Sequence, residues 1–170
     1  MTVFFSADQH IGHKGILTHC KRPYANVEEM GSSILQLHNS LVKPEDTVYM
    51  LGDFAWPGYD DLIYQMNGHI HYVHGNHDKG RIKARACYLS SWQEYLEIDI
   101  EGQHIVMFHY PIADWNRKFH GAWHLHGHVH GNLSVGPGSW DVGVDTNGFA
   151  PVSFEQLKGL VAPFRKPEDK

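Results

Sequence analysis

Four consecutive residues, Gly75-Asn76-His77-Asp78, place an amide oxygen, an imidazole and a carboxylate side by side at the end of the apolar run Ile70 to His74. A leading glycine tolerates the tight backbone needed where a strand turns into a loop. Comparable polar punctuation ends other strand-like runs. Asp8-Gln9-His10 follows Val3-Phe4-Phe5, Gly52-Asp53 follows Val48-Tyr49-Met50-Leu51, His109 follows Ile105 to Phe108, and Gly127-His128-Val129-His130 completes the series. Asp8 and His10 share a face if the chain is extended and point roughly 200° apart if it is helical. Carboxylate, imidazole and amide donors without a thiolate suit borderline divalent ions such as Mn, Fe, Ni, Co or Zn. The chain carries 15 histidines, and histidine is the commonest metal ligand. Together these residues point to a two-metal site at the tips of strands, and so to hydrolysis of phosphate esters.

Composition narrows the setting. A chain of 170 residues with a 42% hydrophobic fraction fits one domain with a substantial core. That domain is expected over residues 1–162, with a polar tail over 163–170. The formal net charge of -5 supplies no overall basic field to draw in nucleic acid. Cys20 and Cys87 form no C-x-x-C, which favours a reducing cytosol over a disulfide framework. The first residues lack a basic, then apolar, leader pattern, and no run approaches the roughly 18 apolar residues of a membrane span. The expectation is a soluble cytoplasmic protein that acts on a small phosphate ester and needs no membrane.

Strand tips can gather such residues only if the strands run the same way. Residues 3–7 read as a short buried strand. A short helix is expected over 16–21, stopped before Pro23. Asn26-Val27-Glu28-Glu29 resembles a capping box, and Met30, Ile34, Leu37 and Leu41 follow at helical spacing, which predicts a helix over 27–42. Then come a strand over 47–51, a helix over 59–66 ended by Asn67-Gly68, and a strand over 70–74. Alternation of this kind argues for parallel pairing with right-handed crossovers. Ligands in such sheets bind at the carboxyl ends of strands, where Asp8, Asp53 and Asn76 fall. Further on, residues 95–100 and 103–108 read as a hairpin. A loop over 111–120, a strand from 123 that runs into a loop by 130, a strand over 140–145 and a helix from a Ser153 cap to about 161 complete the chain.

Taken in order, the blocks Asp8-x-His10, Gly52-Asp53, Gly75-Asn76-His77-Asp78, His109 and Gly127-His128-x-His130 resemble those of the calcineurin-like metallophosphoesterases, in the compact form of prokaryotic and phage members. The resemblance spans residues 8–130. It implies an α/β fold (α+β by some schemes), a four-layer sandwich of two mixed β-sheets flanked by helices. It also implies one metal held by Asp8, His10, Asp53 and His130, and a second held by Asp53, Asn76, His109 and His128, with Asp53 bridging. Manganese is the favoured activating ion. Two divalent ions outweigh two carboxylates and a bridging hydroxide by about one positive charge, enough to attract a phosphate anion. A third carboxylate in place of Asn76 would cancel that excess.

His77 follows a ligand without being one, so it is the candidate general acid, and Asp78 is the candidate to orient its imidazole. His13, Arg22 and Arg117 are candidate substrate contacts. His19, His38, His69, His71, His74, His104 and His120 read as surface or hydrogen-bonded residues. His124 and His126 share a strand face with His128 and His130, and the glycine at 127 with the family pattern selects the later pair. Asp99, Asp141 and Asp145 read as structural, with support of a ligand histidine a further option for Asp145. Tyr110 and Trp115 either flank an aromatic group of the substrate or close a core edge. The leading reading is a phosphodiesterase on small or cyclic diesters, from the open site expected of a chain without a cap domain. Its rivals are a phosphomonoesterase, a nuclease that tracks a short single strand along Lys79 to Arg85, and a catalytically silent metal-binding scaffold.

Overall fold

The structure is a computed structural model that describes residues 1–78 and 80–163. Its first half runs β1 (Val3–Ser6), α1 (Lys14–His19), α2 (Val27–Leu41), β2 (Thr47–Met50), β3 (His69–Val73) and β4 (Ser91–Gln93). Its second half runs β5 (Tyr95–Ile100), β6 (Gln103–Phe108), β7 (Trp123–His126), β8 (Ser139–Asp141), β9 (Val152–Ser153) and α3 (Phe154–Leu160).

The apolar alternation of β1 explains its place. Phe4 packs with Val48, Met50, Ile70 and Tyr72 on one side, and Phe5 packs with Leu51, Val73, Ile105 and Leu125 on the other. A strand apolar on both faces belongs inside a sheet covered twice. The first sheet is ordered β4-β3-β2-β1-β9, and β9 alone runs antiparallel to its neighbour. The second is ordered β5-β6-β7-β8, with β5 antiparallel to β6 and the remaining pairs parallel. Both sheets are therefore mixed, and they pack face to face. Phe154 and Leu157 of α3 close the core between them, while Leu35 of α2 packs against the far side of the first sheet. Over the far side of the second sheet, Val106 is covered by Trp115 and Ala122, so a loop with one 3-10 turn at Lys118–His120 forms that layer.

Half of the expected capping box is present: the Asn26 side chain accepts from Glu29 N at 2.8 Å, but Glu29 Oε2 accepts from Ala25 N at 2.7 Å rather than from Asn26 N. Elsewhere the structure departs from expectation. The helix expected over 59–66 is a 3-10 helix, Asp60–Gln65, too short for periodicity to tell the two apart. The strand expected over 140–145 stops at Asp141, whose own carboxylate accepts from Gly143 N and Gly131 N and turns the chain away. Strands β4 and β9, at three and two residues, are too short to carry a sequence pattern. The basic stretch after Lys79 becomes a 3-10 helix, Lys83–Tyr88. Nearby, Arg81 pairs with Asp60 at 3.0 Å and Arg85 with the exposed Asp61 at 2.6 Å, which offsets part of the positive charge of the stretch. Lys79 and, beyond Pro163, the expected tail at 164–170 lie outside the described residues. No described helix is long and apolar enough to cross a membrane.

Candidate metal centre

Parallel register converts distant sequence blocks into neighbours. Ser6 pairs with Met50, and Met50 with Tyr72, so three strands end level with one another. The loops beyond them stay linked: Asp8 N donates to Gly52 O at 3.0 Å and His10 N to Asp53 O at 2.9 Å. Ala7 also bridges to Gly143 and Gly127 N donates to His109 O, which brings the second sheet's loops to the same end.

All seven candidate ligands meet there. His10 Nε2 lies 3.6 Å from Asp53 Oδ2 and 3.9 Å from Asp8 Oδ1. His109 Nε2 lies 3.4 Å from Asp53 Oδ2 and 3.0 Å from Asn76 Oδ1, and His128 Nδ1 lies 3.1 Å from that same amide oxygen. Donor atoms of Asp8, His10 and His130 fall within 4.8 Å of one another, as do those of Asp8, Asp53 and His109.

Two of these atoms test the fit to a metal. Asp8 Oδ1 and His10 Nε2 are buried and have no hydrogen-bond partner. Leaving such groups unpaired costs roughly 1–3 kcal/mol each, more for a charge. A divalent cation satisfies both at once, and the oxygen-and-imidazole set suits a borderline ion. The electrostatics agree. Burial raises the Asp8 carboxyl to about 7, against the pull of His109 and His130, and burial lowers His10 to about 3. Burial would raise Asp53 as well, but the hydrogen bond and charge of His109 outweigh it and hold Asp53 at about 2. The same contact, opposed by burial, lifts His109 to about 9.

The backbone is strained at the same place. Asp8, His10, Asp53, His128 and His130 all have positive φ, between 49° and 71°. For non-glycine residues this conformation costs of order 1–3 kcal/mol each, and such costs persist where surrounding structure enforces them for function. Two glycines make the close approaches possible. A Cβ at Gly127 would meet Asp8 Oδ2 at 2.5 Å, and one at Gly75 would collide with the Asp53 carboxylate. Gly75→Ala is therefore expected to displace Asp53, lowering both bound metal and thermal midpoint. Metal analysis and a melting curve check this.

Two of the candidate ligand histidines have a partner on the ring nitrogen that faces away from the cluster. His109 Nδ1 donates to Leu51 O at 2.7 Å, so Nε2 is the nitrogen turned toward Asp53 and the one that could give its lone pair to a metal in place of its proton. His130 Nδ1 sits 2.7 Å from Asp145 Oδ2, the supporting option left open for that carboxylate. Cys20 also lies near His130 and Asp145, but burial pushes its thiol up to about 11 and Arg22 already occupies the carboxylate.

Three sequence expectations need correction. Arg22 is only 4% exposed and faces inward, away from any substrate. It binds Asp145 at 2.8 and 2.7 Å, and its other donors reach the carbonyls of Gln9 at 2.6 Å and Asp8 at 2.7 Å. It braces the first ligand loop and the support of His130 together. Arg22→Met should cost about 3–5 kcal/mol of stability, the penalty for stranding one partner of a buried ion pair; chemical denaturation reads it. Asp78 does not orient the His77 ring. Its carboxylate accepts from Gly75 N at 2.7 Å, Tyr72 Oη at 2.9 Å and Asp53 N at 3.2 Å, so it pins the turn that presents Asn76 and His77. Arg117 stands exposed on the loop over the second sheet and does not line the hollow above the ligands.

That hollow, about 400 Å³, is lined by His10, His13, His19, His77, His128 and His130 together with Asp53. The His77 ring lies 5.4 Å from that of His10 and 5.6 Å from Trp56, and His13 stacks on Trp56 at 4.1 Å. Trp56, which backs the His13 and His77 rings, is the residue that sequence reasoning missed. Its loop position carried no signal, because only the fold sets it beside His77.

Comparison with known proteins places these observations. Residues 1–136 match the model of the calcineurin-like phosphoesterase superfamily domain. An uncharacterized protein of Methanocaldococcus jannaschii is 29% identical over 171 residues, covering 94% of this chain and 90% of its own. A crystal structure of a protein of unknown function from Aquifex aeolicus superposes with a TM-score of 0.75 at 23% identity. That match covers 94% of this chain and 99% of the other, and it speaks for the fold alone.

Proposed function

The chain belongs to the calcineurin-like phosphoesterase superfamily, and from that premise we propose that it is a binuclear metal-dependent phosphodiesterase acting on small diesters. The observation that carries this reading is the convergence of seven oxygen and nitrogen donors around the unpartnered Asp8 Oδ1 and His10 Nε2. Asp8, His10, Asp53 and His130 would hold one ion, and Asp53, Asn76, His109 and His128 the other. When bound, such a pair supplies Lewis acidity and an activated water nucleophile.

The chain's own residues do the rest. Asp53 Oδ2 lies between His10 and His109, within 3.6 and 3.4 Å, which suits a shared carboxylate. Leu51 O and Asp145 keep His109 and His130 in the tautomers that offer a lone pair. His77, held by its own backbone N–H on Asp53 Oδ1 at 2.9 Å, keeps its imidazole free for the substrate. As the ester P–O bond breaks, the leaving oxygen takes the His77 proton. The free cysteines Cys20 and Cys87 fit a cytoplasmic setting.

Charge favours a diester over a monoester. Among the described residues that line the hollow there is no lysine or arginine. A doubly charged monoester gains from such cations, whereas the single charge of a diester matches the modest surplus of the metal pair. The arginine pairs of the 79–85 stretch weigh against a nuclease. Reconstitution with manganese followed by bis-p-nitrophenyl phosphate and p-nitrophenyl phosphate tests the reading. The diester should turn over faster and a chelator should abolish the reaction. No turnover of either would favour a silent scaffold, and a reversed ratio a phosphomonoesterase.

A further inference from the structure

Beyond His128 the site opens onto aromatic surface that the hydrolytic machinery does not use. Tyr110 is 37% exposed, its ring lies 4.6 Å from His128 and 5.1 Å from His109, and its hydroxyl has no hydrogen-bond partner among the described residues. Phe108 follows at 5.5 Å, and Tyr95, 43% exposed, follows at 6.4 Å from Phe108 as its cross-strand partner. These rings form a strip that starts at the ligands and runs out along the edge of the second sheet. Trp115, the other aromatic of this region, is 5% exposed and packs under Val106, so it closes the core instead.

We propose that Tyr110, with Phe108 and Tyr95 behind it, is a stacking subsite for a planar aromatic ring, such as a nucleobase, on the retained arm of the diester. The inference rests on the phosphodiesterase reading above. Placement supports the assignment of arms. His77 stands beside His10, and Tyr110 stands beside His109 and His128, with Asp53 between the two groups. A diester whose leaving oxygen faces His77 leaves its other arm to the Tyr110 side. The surroundings set the charge of the occupant. Glu97 and Asp99 share the outer strand face with Tyr95, so a phosphate chain is repelled there while a neutral ring is not. A single base suits the strip, and a polynucleotide does not. Base–aromatic stacking is strong enough for about a tenfold preference.

The test compares two substrates with one leaving group, p-nitrophenyl thymidine 5′-phosphate and methyl p-nitrophenyl phosphate, on the metal-loaded protein. The thymidine ester should have a kcat/KM about tenfold higher, carried by KM. Tyr110→Ala should bring the ratio near one and Tyr110→Trp should restore it. Because Tyr110 touches His128, the ratio is the readout, since any disturbance of the ligands affects both substrates alike. Calorimetric titration with thymidine 5′-monophosphate and methyl phosphate gives the same comparison without turnover. Turnover of both esters with no ring preference, or a preference indifferent to Tyr110, overturns the subsite and leaves the phosphodiesterase reading standing. Ring-dependent binding with no turnover supports the subsite and overturns the reading beneath it.

Discussion

Replacing His77 with asparagine is expected to lower kcat by about 10²–10⁴-fold on diesters with poor leaving groups, the usual contribution of a positioned general acid, while both metals stay bound. The geometry separates these effects. His77 contributes to the ligand cluster through its backbone N–H, 2.9 Å from Asp53 Oδ1, and asparagine keeps that donor. What disappears is the imidazole, which rests against His10 and Trp56 and makes no hydrogen bond to Asp78. A p-nitrophenolate leaves without needing a proton, so its loss should be small. An alkoxide needs one, so its loss should be large. The variant should therefore show a steeper dependence of rate on leaving-group pKa with unchanged metal content. Parallel loss of metal and of activity on every substrate would assign His77 to ligand support.

The second large effect is expected of Asp53→Asn. Amide and carboxylate have the same shape, so the fold should persist, while the negative charge facing both His10 and His109 is lost. Metal content should fall from two ions per chain to one or none, and activity by about 10³-fold or more, because both Lewis-acid roles depend on that carboxylate. Arg22→Met offers a contrast. It acts behind the ligands through Asp145 and the carbonyls of Asp8 and Gln9, so its effect falls first on stability.

Much of this site was legible because its parts obey short-range rules. Spacing two in Asp8-x-His10, apolar runs that end in polar residues, and the Asn26 helix cap each report local geometry. Parallel order followed from strand–helix alternation, and it placed Asp8, Asp53 and Asn76 at one sheet end. The errors share a cause. Asp78 adjoins His77 in sequence, yet in a tight turn successive side chains diverge, and its partners came from Tyr72 and three backbone amides. Arg22 reads as a substrate contact in sequence because its partner Asp145 lies 123 positions away. The positive φ values at five candidate ligands could not be read from sequence, since aspartate and histidine tolerate that conformation better than most residues but adopt it at only a small fraction of positions. Tyr110 and Trp115 looked equivalent in sequence, and burial alone separates them.

The central claim is that one aspartate is shared by a pair of ions at converging strand tips. Anomalous scattering from crystals of the manganese-loaded protein, paired with metal analysis of the same sample, tests it most directly. The account predicts two peaks that flank Asp53, one contacted by Asp8, His10 and His130 and the other by Asn76, His109 and His128. A single peak, or peaks that leave Asp53 unshared, would contradict it.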